Sequence, residues 1–193
     1  MTTRGTLAVV VPIKSFTSAK ARLAEALSPE RRAMLARQCA DTVLRAAHPL
    51  PVFVVCDDDE VASWAIGHSA TVVRPQRHGL NVAVAAGRDA AATAGFARVL
   101  VVHSDLPRAE SLASLDDVSV HVTVVPDRRD DGTNALLLPA TGPFEFHYGP
   151  GSFDAHCAEA AARGLALRVV RRDDLALDLD TLDDLRLAGL SDD

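Results

Sequence analysis

The chain has 193 residues, enough for one domain with a sizeable core. Apolar residues make up 48%, so a globular protein is expected. With 20 Lys and Arg against 26 Asp and Glu, the net charge of −6 argues against a general nucleic-acid or membrane-surface binder, which needs a basic excess, but leaves room for a small anion held by a local cluster of cations.

Met1-Thr2-Thr3-Arg4-Gly5 runs straight into residues 7–13, an apolar strand pattern, so the start is too short and wrongly flanked for a signal peptide. That run suits a buried parallel strand. Ser28-Pro29 opens a helix, with Ser as the cap and Pro at the first helical position. The helix is expected to reach about Ala47, with Leu35, Cys39, Thr42, Val43 and Ala46 on one face. A second buried strand follows at 52–56, and Asp57-Asp58-Asp59 caps a helix through Val61, Trp64 and Ala65. Then come a third strand at 70–73, an Ala-rich helix from Asn81 to about Ala94 stopped by Gly95, and a fourth strand at 98–103. This β-α alternation predicts a parallel sheet with right-handed crossovers.

The pattern then changes. Strands at 118–125 and 135–139 have only a turn between them and are predicted to be antiparallel. A helix at about 152–163, a strand at 165–170, a short extended piece at 175–179 and a helix opened by Asp180-Thr181 complete the chain. The expected architecture is α/β: a Rossmann-like three-layer sandwich, parallel in its first half and mixed in its second, as a single domain over 1–193. The Asp192-Asp193 tail is expected to fray. No apolar run is long enough to span a membrane. Cys39, Cys56 and Cys157 are scattered without disulfide or metal spacing, which points to a reducing cytoplasm.

Open α/β sheets bind ligands outside the carboxyl ends of their strands. After the first strand lie Lys14, Lys20 and Arg22, a cation cluster suited to a triphosphate. It is neither a Walker loop nor a G-x-G-x-x-G turn, and solvated surface cations are the plain alternative. After the third strand, Gly79 and Asn81 are either ordinary helix punctuation or groups that read a flat base. Asp105 follows the fourth strand, where a carboxylate suits Mg²⁺ on a nucleotide. Asp178 and Asp180 share a face if their segment is extended, and Asp180 is also a candidate helix cap. The three acids are expected to meet at one cation. Asp131-Gly132-Thr133-Asn134 leads into an apolar strand, and Tyr148-Gly149-Pro150-Gly151-Ser152-Phe153 leads into a helix. Thr133, Gly149 and Ser152 thus read as a pocket for a small phosphorylated acid, against a plain reading of two turns with Ser152 capping its own helix. The seven His residues show no ligand spacing and read as structural or exposed.

These motifs resemble the guanylyltransferases of deazaflavin coenzyme F-420 biosynthesis, in the MobA-like nucleotidyltransferase group. The resemblance rests on P-I-K at 12–14 with A-K-A-R-L at 19–23, G-L-N at 79–81, S-D-L-P at 104–107, D-G-T-N-A-L-L-L at 131–138, Y-G-P-G-S-F at 148–153 and L-D-L-D-T at 177–181. The chain departs from related enzymes in its opening loop, where residues 15–18 replace a Gly-richer sequence.

The resemblance implies a nucleotidyltransferase fold and transfer of GMP from GTP to the phosphate of phosphoenolpyruvate or 2-phospholactate, with release of pyrophosphate. It implies Lys14, Lys20 and Arg22 on the GTP phosphates, Gly79 and Asn81 near guanine, and Mg²⁺ at Asp105, Asp178 and Asp180. Lys14, Lys20 and Asp105 would carry catalysis, and Thr133, Gly149 and Ser152 would hold the acid. A downstream enzyme of the pathway is expected to take the unstable product, and neither nucleic acid nor membrane is an expected partner. A composition rich in Ala, Arg, Val and Asp, as in GC-rich coding sequence, tilts the reading towards an actinobacterial member and phosphoenolpyruvate. Two rivals are weighed. A molybdopterin or sugar-phosphate nucleotidyltransferase should carry a Gly-rich opening loop. A non-catalytic nucleotide-sensing domain would have no reason to keep the three acids together.

Overall fold

The computed structural model describes residues 6–190; Met1-Thr2-Thr3-Arg4-Gly5 and the Asp192-Asp193 tail lie outside the described residues. Valine-rich strands form its centre. β1 (Leu7–Pro12) pairs in parallel with β2 (Val52–Val55) and β4 (Arg98–Val102), and β3 (Thr71–Val73) extends the sheet beyond β2. The crossovers are α1 (Pro29–Ala47), α2 (Asp59–Gly67) and α3 (Leu80–Thr93). β6 (Thr133–Pro139) runs antiparallel to both β4 and β5 (Val122–Pro126), and β7 (Leu167–Val169) lies parallel to β5. The order is β3-β2-β1-β4-β6-β5-β7. Parallel pairing in the first half and a mixed sheet in the second match the sequence reading. The placement of β6 between β4 and β5 carried no sequence signal.

Alternate side chains of β1 serve opposite faces, as strand geometry requires. Val9 and Val11 pack with Val43 of α1 and Val61 of α2, whereas Ala8 and Val10 pack with Val84 and Ala91 of α3. α4 (Ser152–Ala162) joins the α3 side through Ala160, and α5 (Asp173–Ala176) joins the α1 side through Leu175. α6 (Leu182–Ala188) places Leu185 against Leu23, Leu35 and Cys39. The result is three layers, with helices on both faces of the sheet.

Local signals set the helix ends. Ser28 accepts the Arg31 N–H with Pro29 behind it, and Asp58 accepts the Val61 N–H. Three expected elements differ. Residues 118–121 are not strand, because the Asp117 carboxylate takes both the backbone N–H and the hydroxyl of Ser119 and closes a turn with Val118 at its exposed tip. Residues 175–176 close a short helix rather than open a strand, and the Asn134 side-chain amide donates to both of their carbonyls. α3 starts at Leu80 with Gly79 before it, so Asn81 is not its cap.

Gly87 shows how tightly α3 presses on the sheet. A Cβ there would fall inside the van der Waals surface of Val10 Cγ1 and lie 2.7 Å from Val55 Cγ2. Both valines are anchored in central strands and have no room to swing. Ala normally improves a helix interior over Gly by about 1 kcal/mol, yet overpacking a dense core costs about 1–3 kcal/mol or more. Gly87→Ala is therefore expected to lower the urea midpoint of unfolding. A raised midpoint would show that α3 can lift from β1 and β2 at little cost.

Candidate active site

Topology gathers the candidate side chains at one edge. β1 to β4 are parallel, so the loops carrying Lys14, Asp57, Gly79 and Asp105 all leave the same side. Because β6 is antiparallel to β4, its first residues lie at that edge too, and the His103 N–H donates to the Asn134 carbonyl at 3.0 Å. β5 ends there as well, and β7, parallel to it, delivers residues 170–180 to the same side. The Leu179 N–H then donates to the Asp105 carbonyl at 3.0 Å, stitching the Asp178–Asp180 segment to the loop after β4. Leu177 and Leu179 are buried, and the alternate Asp178 and Asp180 face the cavity, the sharing of a face that the spacing predicted.

The cavity at this edge has a volume of about 950 Å³ and is walled by Lys14, Arg22, Gly79, Asp105, Thr133, Gly149, Ser152, Asp178 and Asp180. One cation behaves differently from its loop-lysine reading. Lys20, with φ 58, turns inward; its side chain is 4% exposed and its Nζ lies 3.0 Å from Asp105 Oδ2 and 3.7 Å from Asp180 Oδ1. It lines a smaller adjoining cavity instead. Burial by itself lowers the Lys20 pKa, but the two carboxylates outweigh it and the ammonium is held above its ordinary value. Arg22 lies 3.4 Å from Asp180 Oδ2. Lys14 is exposed and, among the described residues, makes no ion pair.

The acids divide in the same way. Burial raises the Asp105 pKa, yet the Lys20 charge, the nearby His103 and the Lys20 hydrogen bond together bring it below the ordinary carboxylate value. Its Oδ1 is buried and has no hydrogen-bond partner. Among the described residues Asp178 makes no ion pair, although Arg128 lies within electrostatic reach; burial first, and then the Asp105 charge, push its carboxyl up to about 6. Among the described residues no three His, Cys, Asp or Glu side chains form a ready metal-binding group. The three expected acids line one cavity, with Lys20 tying Asp105 to Asp180. Thr181, not Asp180, caps α6, accepting the Asp184 N–H in a capping box.

The opposite wall is equally built. The Asp131 carboxylate accepts the Gly151 N–H at 3.1 Å and its carbonyl accepts the Phe153 N–H at 3.0 Å, clipping the β5–β6 turn to the start of α4. Exposed Asp131 thus lines the cavity with one carboxylate oxygen bonded to the start of α4, while Asp130 pairs outward with Arg171. Gly151 precedes α4 and no side chain caps the helix, so Ser152, 2% exposed at the first helical position, does not serve as cap. Gly149 adopts φ 142, a conformation that favours glycine, and a Cβ there would meet no protein atom within 4 Å. Backbone geometry, not a crowded neighbour, selects this glycine. Asn81 does not point its amide at a base: it accepts the Tyr148 N–H at 2.7 Å and donates to the Tyr148 carbonyl at 3.3 Å. Buried Arg88 donates to the carbonyls of Pro139 and Gly142, tethering the same loop to α3.

Several wall residues escaped the sequence reading. Arg77 and Arg129 are exposed cations on the cavity, and Arg129 stands four residues before Thr133, in a turn already singled out. His103 also lines it, with a buried Nε2 that lacks a partner; burial lowers its pKa. His156 is fully buried behind Thr133, and burial, followed by the charges of His147 and His103, lowers its pKa to about 4 against the pull of Glu159.

That depression has a sign. Unfolded His156 would titrate near 6.5, so between pH 6.5 and about 4 the unfolded chain binds more protons and stability rises with pH. His156 should thus contribute full stability above pH 6.5 and lose about 3 kcal/mol on acidification to pH 4. Urea titrations at several pH values should show a shallower slope over this window in His156→Asn than in the unchanged protein. Equal slopes would mean the imidazole titrates normally in the fold.

The fold matches that of a putative nucleotide-diphospho-sugar transferase from Desulfovibrio desulfuricans at a TM-score of 0.78 and 16% identity, covering 95% of this chain and 86% of that one. It also matches 4-diphosphocytidyl-2C-methyl-D-erythritol synthase from Anaerococcus prevotii at a TM-score of 0.62 and 11% identity, over 95% and 94% of the two chains. The architecture is the Rossmann-like nucleotidyltransferase fold. Closer in sequence are proteins named phosphoenolpyruvate guanylyltransferase from Sphaerobacter thermophilus, 37% identical over 95% of this chain and 93% of its own, and from Rubrobacter xylanophilus, 38% identical over 91% and 90%. A protein named 2-phospho-L-lactate guanylyltransferase from Methanothermobacter thermautotrophicus is 32% identical over 91% and 81%. The family described as guanylyl transferase CofC like matches residues 7–188, the whole sheet with its cavity, and the chain belongs to that family.

Proposed function

We propose that the protein transfers GMP from GTP to the phosphate of phosphoenolpyruvate, releasing pyrophosphate, as a step in coenzyme F-420 biosynthesis. One observation carries this reading. A single cavity has cations and carboxylates after β1 and β4, and a wall of hydroxyl and backbone donors from β6 and α4. That is a place for two anionic substrates side by side. Relatives named for phosphoenolpyruvate are 37% and 38% identical, against 32% for the one named for 2-phospho-L-lactate, which supports the unsaturated acid.

The acceptor oxygen is already ionised, so no general base is required. The bond from the acceptor phosphate to the α-phosphorus forms as the bond to pyrophosphate breaks. The barrier is repulsion between two anions and their alignment. Lys14 and Arg22 neutralise the triphosphate, with Arg77 and Arg129 as further rim cations. Gly79 keeps the wall beside the nucleotide free of a side chain, and Asn81 acts indirectly by fixing Tyr148-Gly149. Thr133, Gly149 and Ser152 hold the acid. Lys20 sets Asp105 and Asp180 in place. The unpartnered Asp105 Oδ1 and Asp178, which makes no ion pair among the described residues, fit Mg²⁺, which takes one or two carboxylates and completes its shell with phosphate oxygens and water. When bound, Mg²⁺ would offset charge on the reacting phosphates. The enzyme works in the cytoplasm and passes its phosphoanhydride to a downstream enzyme. Among the described residues no helix is long and apolar enough to cross a membrane.

The test is to incubate the protein with GTP, Mg²⁺ and each acid while following pyrophosphate release. Release with phosphoenolpyruvate and GTP, and little with CTP, is expected. No release with either acid, or equal use of CTP, would overturn the assignment.

A further inference from the structure

The buried imidazole behind Thr133 does more than fill space. The His147 backbone N–H donates to His156 Nε2 at 3.0 Å, and a backbone N–H can only donate. Nε2 is therefore bare, and the neutral ring must carry its hydrogen on Nδ1. Nδ1 lies 3.0 Å from Thr133 Oγ1, so the imidazole donates to that hydroxyl. The Thr133 oxygen is occupied as an acceptor from behind, and its own hydrogen finds no other acceptor among the described residues. Turning the ring over would put Cδ2 and Cε1 where Nδ1 and Nε2 now bond, so the two hydrogen bonds favour the ring as it stands. Tyr148 packs edge-on against it at 4.8 Å, and Phe144 lies at 6.2 Å with an interplanar angle of 27°. His156 also stands one turn after Ser152, so α4 presents both from its inner face.

We infer that His156 is a positioning residue of the acceptor site: locked as the Nδ1–H tautomer, it fixes the Thr133 hydroxyl as a donor aimed at the ionised group of the phosphorylated acid. The inference rests on the proposed acid-binding role of Thr133. It explains why a histidine that touches no substrate is enclosed at this point. Threonine can donate or accept, and the relay removes the choice at this position of the wall. The depressed pKa of His156 agrees with this arrangement, because a second ring hydrogen would face the His147 N–H head-on.

Two isosteres separate the relay from packing. In His156→Asn the amide nitrogen can take the place of Nδ1 and still donate to Thr133. In His156→Gln the amide reaches the place of Nε2 and the donation is lost. The KM for the acid should stay within about threefold of the unchanged protein in His156→Asn and rise about tenfold in His156→Gln, with the KM for GTP steady in both, the scale of one lost hydrogen bond. In a Thr133→Val background, His156→Gln should change nothing further. Equal behaviour of the two variants, or a GTP effect as large as the acid effect, would overturn the relay. If Thr133→Val alone leaves the KM for the acid unchanged, the acid-site assignment itself fails. A readout that needs no variant is the ¹⁵N chemical shift of the two ring nitrogens in the unchanged protein at neutral pH. A hydrogen-bearing Nδ1 and a bare Nε2 are expected, and the reverse would sink the inference even if both variants fail to fold.

Discussion

Asp105→Asn is expected to lower the rate of GMP transfer by about 10²-fold or more, the scale of losing one preorganised charge contact at a reacting group. The carboxylate has two distinct oxygens. Oδ2 is held by Lys20, whereas Oδ1 is buried and has no hydrogen-bond partner among the described residues. Asn keeps the shape, but whichever way its amide sits, the site loses the negative charge that a divalent cation needs. The fold should survive better than the activity, because Asp180 remains 3.7 Å from Lys20 as a counter-charge. The informative comparison is Asp178→Asn. Asp178 is crowded by burial and by Asp105 and makes no ion pair among the described residues. Removing its charge should raise the unfolding temperature in metal-free buffer while still costing activity, the trade-off expected where function keeps a strained group. Pyrophosphate release and thermal unfolding in EDTA check both variants. Activity within tenfold of the unchanged protein in a folded Asp105→Asn would remove Asp105 from the chemistry.

The parts of this site that were legible in the sequence are those set by local chemistry and strand order. A carboxylate after a buried strand, a glycine turn before a helix and alternating Leu and Asp at 177–180 each point to their place without a partner. Burial alternation put Asp178 and Asp180 towards the cavity as the pattern required. What the sequence could not disclose were the pairings made over long separations. Lys20 meets Asp105 across 85 residues, Asn81 meets Tyr148 across 67, and Thr133 meets His156 across 23. A lysine destined for burial looks the same in a sequence as a solvated one. So does an asparagine whose amide is spent on a loop backbone rather than on a ligand. The strands misjudged at 118–121 and 175–176 fail for a related reason: a turn at Asp117 and the side chain of Asn134 claim backbone groups that a strand would have needed.

Lys20→Met should show how much of this wall is held by one cation. Met keeps the apolar length of the stem and removes the ammonium, so the loss reports charge rather than packing. With Lys20 gone, Asp105 and Asp180 face each other, with Asp178 nearby, and among the described residues exposed Arg22 is the cation left in an ion pair with Asp180. Breaking a buried ion pair costs about 3–5 kcal/mol when the remaining charge stays dry. The Asp105 side chain keeps 25% exposure and the Asp180 side chain 38%, so water recovers part of that, and a loss of about 2 kcal/mol is expected. For a chain of this length that is a fall of roughly 4–8 °C in Tm. Two further outcomes follow from the same charges. Millimolar Mg²⁺ should recover part of the lost stability by replacing the missing cation, and should do so less in the Lys20→Met, Asp105→Asn double variant. The double variant should also be less unstable than the sum of the single ones, since neutral Asn needs no counter-charge. If Lys20→Met unfolds in EDTA at the temperature of the unchanged protein, the lysine is an ordinary loop cation and the tie between Asp105 and Asp180 must come from elsewhere in the wall.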